Sequence, residues 1–439
     1  MSHAMNRSAT EAAASKMESS LLHRLLVFTD AFKRLPWWAV ILIFLFNTFL
    51  IVEAFHQLRD RGESSAWGSI LYYQAMTLQA TQIGFGAMLT CGVSLWLLPR
   101  FKRSFGPYQP SAIALSFVIT GVIISSLVWS RRDDILRVVF NTGVYTDTFM
   151  NEWSANLFIA YLIVLGIVLL VIYSTWREPF WLEVTHQSLK IDGWDTPFKI
   201  LHLTDLHLER KTHREDKIQT IIDQLQPDLI VFTGDFVNLS NTFDPQTEQE
   251  IRQVIGRWTA PYGVYVVSGT PIVEPFERVK SFVSGLENLH FRPNQWSSLQ
   301  TDGGTVHLFS MVTTHDLTAD RNTVHTAQAT QPPHAETPEI RLMLSHAPDV
   351  APEAATAGFD LYLCGHTHGG QIRFPLIGAL FSSSQLGKRF VMGRYSLASS
   401  TDRAMTLYTS RGIGMEGFGA PRARFLCRPE ITLWTIHNS

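Results

Sequence analysis

Four apolar runs crowd the first 180 residues, and no other feature of the chain restricts its fold as severely. They extend from Trp37 to Ala54, Tyr73 to Leu98, Ala112 to Ser130 and Leu157 to Trp176. A bilayer core is crossed by about 20 apolar helical residues. In lipid, backbone groups must be satisfied within the segment, which dictates helices. Trp37, Trp38, Trp129 and Trp176 stand at run ends, where amphipathic rings prefer the membrane interface. One such run could be a buried core helix, but four in succession read as spans. The first begins late, precedes further spans and lacks a small-residue cleavage site, so it is expected to be retained.

Residues 1–36 then form a tail and residues 37–178 a transmembrane region of about four helices. Within the tail, Leu21, Leu22, Leu25, Leu26, Phe28 and Phe32 recur near helical spacing among basic residues. That pattern fits either an amphipathic interfacial helix or a plain lead-in to the first span. Arg7, Lys16, Arg24, Lys33 and Arg34 in the tail, Arg100, Lys102 and Arg103 after the second run, and Arg177 after the fourth would share one side. Arg59, Arg61, Arg131, Arg132 and Arg137 would occupy the other. The bias favours a multi-pass inner-membrane protein with its tail and C-terminal domain in the cytoplasm.

At 439 residues the chain is long enough for a second domain. Its net charge of −2 excludes the basic excess that nucleic-acid binding requires. Cys91, Cys364 and Cys427 make neither a disulfide framework nor a CxxC pair, which suits a reducing compartment.

From residue 182 the pattern changes to short apolar strands alternating with helical stretches. FKILHLT (Phe198–Thr204), DLIVFTG (Asp228–Gly234), YGVYVVSG (Tyr262–Gly269), VHLFSMV, IRLMLSH and FDLYLCGH read as strands, and residues 212–225 as a helix. Such an order predicts an α/β domain over 182–439, with ligands bound beyond the carboxyl ends of the strands. The chemistry lies at those ends: Asp205 and His207 after the first strand, Asp235 after the second, His346 after IRLMLSH, and His366 and His368 after FDLYLC. Imidazole and carboxylate together suit Mn, Fe or Zn rather than calcium. A carboxylate reached from both sides can bridge two ions about 3.5–4 Å apart. Asp-x-His, Gly-Asp or Ser-His alone is weak. GHTHGGQ (Gly365–Gln371) is stronger, because its glycines permit close approach of a metal or phosphate.

TDLHL, TGDFVN, SHAPD, GHTHGGQ and the terminal SRGIG…RPEI together resemble the calcineurin-like metallophosphoesterases, in particular their membrane-associated branch of YkuE and YaeI type. The resemblance covers roughly residues 182–439. It implies a four-layer α/β/β/α sandwich and two divalent ions. Asp205, His207 and His368 would hold the first ion, Asp235 would bridge, and His346 and His366 would hold the second. Catalysis would fall to Asp235 and His207. The expected function is a membrane-tethered phosphoesterase acting on a phosphodiester or pyrophosphate, with membrane lipids and a phosphorylated, lipid-linked molecule such as a lipid A precursor as partners.

The pattern breaks once. The family's Gly-Asn-His-Asp or Gly-Asn-His-Glu is replaced by Gly269-Thr270-Pro271-Ile272. The family's Asn binds the second ion and its His faces the phosphate. Thr270 is a poor neutral ligand and Pro271 has no side-chain proton, so a weakened second ion is expected. Asn238 also stands where the family often has Asp. The alternative reading is a catalytically impaired metal-binding module with a regulatory or scaffolding role. Glu274 and His213 are the nearest substitutes, although each reads more simply as a surface residue.

Overall fold

The computed structural model describes residues 38, 39, 42, 46, 93, 166, 167 and 169–439, excepting 335, 336, 402 and 417–422. The first three apolar runs lie wholly or mostly outside these residues, and half of the fourth does. Among the described residues no helix is long and apolar enough to cross a membrane.

Fourteen strands are named among the described residues. They are β1 (Glu183–Lys190), β2 (Phe198–Leu203), β3 (Leu229–Phe232), β4 (Val264–Val266), β5 (Leu289–Phe291), β6 (Gln295–Gln300), β7 (Thr305–Ser310), β8 (Glu339–Leu344), β9 (Leu361–Cys364), β10 (Arg373–Phe374), β11 (Gly378–Ala379), β12 (Gly393–Leu397), β13 (Met405–Thr409) and β14 (Glu430–His437). From residue 182 onward the α-helices among the described residues are α1 (His213–Leu225), α2 (Pro245–Ile255), α3 (Phe276–Val283), α4 (Leu317–Ala329) and α5 (Ala351–Thr356). The strands form two six-stranded mixed sheets, ordered β1-β14-β2-β3-β4-β5 and β12-β13-β9-β8-β7-β6, and a small β10-β11 hairpin.

Period-two alternation decides which side chain faces which layer. Ile200, Leu229 and Val231 of one sheet share a core with Val306, Leu308, Ile340, Leu342, Leu361 and Leu363 of the other. The alternate residues Phe309, Met343, Tyr362, Cys364 and Leu407 face outward, against Val324 and Ala327 of α4 and Ala351, Ala354 and Ala355 of α5. On the other outer face Phe232 packs on Phe236 and Trp258, and Phe236 on Phe282 of α3. Central strands are therefore apolar on both faces, which is why they read in sequence as continuous apolar runs. Truncating one such residue, Leu342→Ala, would cost about 2–5 kcal/mol.

β2, β3 and β4 run parallel in one sheet, and β7, β8, β9 and β13 in the other. The loops that follow them carry the candidate ligands. α1 begins where Thr212 and Glu215 form a capping box. Its buried Arg214 donates to the carbonyls of Leu206 (3.2 Å) and Ile413 (3.3 Å), tying the helix to two of these loops. Among the described residues there is no disulfide: Cys364 and Cys427 are free and buried.

Candidate metal centre

The loop after β2 leaves its strand in the left-handed region, at φ 52° for Asp205 and 44° for His207. Asp235 (59°), His366 (70°) and His368 (51°) share that conformation, which non-glycine residues seldom adopt. Backbone bonds hold it in place: Asp205 N–H donates to Gly234 O and His207 N–H to Asp235 O, both at 2.9 Å. Two glycines give the carboxylates room. A Cβ on Gly365 would strike Asp205 Oδ2, and one on Gly269 would strike Asp235 Oδ1.

All six predicted residues converge. His207 Nε2 faces His368 Nε2 at 3.0 Å, with Asp205 Oδ1 3.7 Å from His368 Nε2. His346 Nε2 faces His366 Nδ1 at 3.1 Å, with Asp235 Oδ2 at 3.2 Å. Asp235 Oδ2 also lies 3.4 Å from His207 Nε2, so this carboxylate stands between the two groups, as a bridging ligand must. Asp205, His207 and His368 form one set able to hold an ion, and Asp205, Asp235 and His346 another. His366 joins the second set through its contact with His346. Five of the six residues are buried, and His366 is partly exposed.

The donor chemistry fits two divalent cations. Each facing pair of ring nitrogens can share at most one proton, and a cation between them satisfies both lone pairs. His346 Nδ1 lies 2.8 Å from Thr233 O, the bond that leaves Nε2 as the coordinating atom. Burial, with the charges of His346 and His315, holds His366 well below its ordinary titration range. Burial, with His207 and Arg424, does the same for His368, so both rings are neutral and ready to coordinate. Burial disfavours charge on Asp235, but His346, His207 and the Thr270 N–H outweigh it and keep the carboxylate ionised. Burial likewise opposes protonation of His346, yet the charge and hydrogen bond of Asp235 carry it up to about 9. Cation binding must therefore displace a proton.

The structure also corrects one expectation. Glu274 is not a surface residue. It is buried, and its carboxylate accepts from the N–H groups of Asp235 (3.0 Å), Val237 (3.0 Å), Gly269 (2.9 Å) and Phe236. Burial and the charge of Asp235 raise it to about 7. It fastens the Asp235 loop to the Gly269 loop, a role invisible in sequence because its partners are backbone groups. Thr270 faces the centre. Its N–H donates to Asp235 Oδ1 at 2.8 Å, and its hydroxyl lies 3.2 Å from His346 Nε2. His213 is not brought to the centre, and its ring stacks on Phe180 instead, with centroids 4.8 Å apart. Asn238 is buried and donates to Met415 O at 3.1 Å.

Three further residues belong to the surroundings. Glu416 Oε2 lies 3.0 Å from His207 Nδ1, a carboxylate that orients the ring. Gln371, the last residue of GHTHGGQ, clamps Glu416 through both backbone groups, donating to its carbonyl (2.7 Å) and accepting from its N–H (3.0 Å). His315, after β7, sits with its ring centroid 4.7 Å from that of His366. A polar residue just beyond an apolar strand was the only available signal for His315, and it is a weak one.

Comparison with known proteins agrees with this geometry. A family model described as calcineurin-like phosphoesterase matches residues 198–370. The chain is 30% identical over 265 residues to phosphodiesterase YaeI of Escherichia coli, covering 60% of this chain and 90% of that protein. It is 29% identical to the uncharacterized metallophosphoesterase YkuE of Bacillus subtilis, covering 61% and 90%. It is 25% identical to UDP-2,3-diacylglucosamine pyrophosphatase LpxG of Chlamydia trachomatis, covering 61% and 92%.

Proposed function

This chain belongs to the calcineurin-like metallophosphoesterases and is a hydrolase of phosphoric ester bonds, and from that premise we propose that it is tethered to a membrane and cleaves a lipid-linked phosphodiester or pyrophosphate. The observation that carries the reading is the position of Asp235, with one carboxylate oxygen 3.4 Å from His207 and 3.2 Å from His346. Asp205, His207, His368 and Asp235 would hold one divalent ion, and Asp235, His346 and His366 the other. When bound, such a pair supplies Lewis-acid polarisation of the phosphoryl group and an activated water. The protein's share is orientation. Glu416 fixes His207, Thr233 O fixes His346, and Glu274 fixes the two loops that meet at Asp235.

The Thr270–Pro271 loop bears on substrate class. Pro271 offers no proton to a departing oxygen, and a missing general acid costs about 10²–10⁴-fold on a poor leaving group. A phosphate leaving group needs that proton least. A pyrophosphate therefore suits this centre better than an alkyl ester, and the pyrophosphatase named among the relatives acts on such a bond. The four apolar runs support a multi-pass inner-membrane location, and the basic bias supports a cytoplasmic domain.

The test uses full-length protein in detergent with Mn²⁺, assayed on bis-p-nitrophenyl phosphate and on UDP-2,3-diacylglucosamine beside an Asp235→Ala control. Hydrolysis of both, with preference for the pyrophosphate and loss in the control, is expected. Equal rates in wild type and control would overturn the assignment. If wild type binds metal yet hydrolyses neither substrate, the second reading holds, that of an impaired metal-binding module, which the Thr270–Pro271 loop favours. A periplasm-dependent reporter fused after Ser439 should be silent, and strong activity would reverse the orientation.

A further inference from the structure

We propose that the hairpin spanning Ile372 to Phe381 enters the membrane interface and presents the metal centre to the bilayer, from which an amphiphilic phosphoester is drawn. The proposal rests on the reading of a membrane tether.

The hairpin's composition is wrong for water. Its tip, Pro375-Leu376-Ile377-Gly378, carries Leu376 fully exposed and Ile377 69% exposed, and Phe381 beyond it is 79% exposed. Phe374 and Leu380 add exposed apolar surface. Leu376 has φ 66°, a conformation usually given at a solvated tip to Gly or Asn. A leucine there carries the strain without the burial that normally favours leucine. Exposed apolar patches of this kind mark interaction sites.

The hairpin is joined rigidly to the metal centre at both ends. It departs directly from His366–His368, and the Arg373 side chain turns back to donate to Gly369 O at 2.9 Å. On its return, Ser383 Oγ donates to His366 O at 2.7 Å, and Ser383 O lies 3.3 Å from His366 Nε2. An object touching the tip is thus held beside the second group of ligands.

Lipid, rather than a protein, is the indicated occupant because of where the chain enters this domain. Arg177 to Trp181 directly follow the fourth apolar run. The buried Glu178 accepts from the N–H groups of Leu426 (3.1 Å) and Cys427 (2.5 Å), which fixes the entry segment to the loop around residue 426. That same loop pairs with the hairpin base: Phe425 N–H donates to Gln371 O and Arg373 N–H to Phe425 O, both at 2.9 Å. Leu426 is itself half exposed, and the Arg428 guanidinium lies 3.6 Å above the ring of the exposed Trp181. The entry segment, with a Trp–Arg pair of the kind favoured at membrane interfaces, and the base of the apolar hairpin are therefore bonded to the same loop.

The test uses the full chain in phosphatidylethanolamine–phosphatidylglycerol vesicles, with a nitroxide on Leu376→Cys, labelled wild type as background and exposed Glu287→Cys as control. Relaxation by oxygen should exceed relaxation by a water-soluble nickel chelate at position 376, and the reverse should hold at 287. A label on Leu169→Cys, in the fourth run, separates the two ways of failing. Lipid signature at 169 with water signature at 376 overturns the hairpin proposal and leaves the tether intact. Water signature at both removes the tether, and the proposal with it. Burial at 376 that grows with the protein-to-lipid ratio means a second copy covers the hairpin, which also overturns the proposal. In a second arm, Leu376→Asp/Ile377→Asp should slow hydrolysis of a vesicle-borne lipid pyrophosphate by about 10-fold or more while leaving bis-p-nitrophenyl phosphate hydrolysis unchanged, as expected when interfacial binding alone is lost. Equal loss on both substrates, or loss on neither, contradicts it.

Discussion

The two halves of the metal centre are built to different standards. On the first-ion side, Asp205, His207 and His368 are all buried, and Glu416, itself clamped by Gln371, lies on the far nitrogen of His207. On the second-ion side, His346 is equally buried and fixed by Thr233 O, but His366 is partly exposed and a threonine hydroxyl stands in the ligand circle. The difference teaches that loss of one motif need not collapse a site. Glu274 gathers the Asp235 and Gly269 loops, so the second half keeps its geometry with Thr270 in place of a stronger ligand.

The comparison breaks altogether at Asp235, the group both halves share. Asp235→Ala should empty both sites and lower the hydrolytic rate by about 10³-fold or more, on the scale of lost charge stabilisation in an active site. Elemental analysis beside initial rates checks this, and wild-type metal content in the variant would refute the bridging role. Glu416→Gln should act on one half only, weakening the first ion by about 10–100-fold, as is usual when the partner of a ligating histidine is changed. Calorimetric Mn²⁺ titration distinguishes this from equal weakening at both sites, which would mean that the whole loop had shifted.

A third expectation concerns the floor beneath both halves. His202 of β2 is fully buried, with Nε2 2.9 Å from Thr233 Oγ1, and burial lowers it from 6.5 to about 3 against the opposing charge of Glu430. Between those values only the unfolded chain takes up the proton, so its contribution to stability is complete above pH 6.5 and declines as pH falls. By pH 5 the loss should be about 2 kcal/mol, at about 1.36 kcal/mol per pH unit. Thermal unfolding from pH 7 to pH 5 measures it, and His202→Gln should flatten the slope. An unchanged slope would mean that other groups dominate.

The smallest effect sharpens the contrast directly. Thr270→Asn/Pro271→His should raise occupancy of the second ion and speed a generic diester by about 10-fold, the scale of a recovered acid–base group. If both ions bind and the rate does not rise, the Thr-Pro loop is an adaptation to a substrate that needs no donor.

Much of this was legible in the residues themselves. Strands with both faces buried are largely apolar, so β2, β3, β8 and β9 announced themselves, and their ends marked all six candidate ligands. The capping box of α1 is likewise local. What resisted reading was whatever depends on partners distant in the chain. Glu274 looked like surface because its partners are backbone N–H groups, which every residue has. Glu416 and His315 lie in segments without periodicity, and only the parallel strand ends bring them to the metal centre. The pairing of β1 with β14 joins residues 183 and 430, a register fixed by twist and packing rather than by either strand. Side-chain period and ligand chemistry are properties of the sequence, so the sequence by itself determined the α/β layers and the candidate ligand set. How each half of the site is held in place, and which edge of the domain is apolar, was decided only by tertiary structure, because both are set by what folding leaves beside each group.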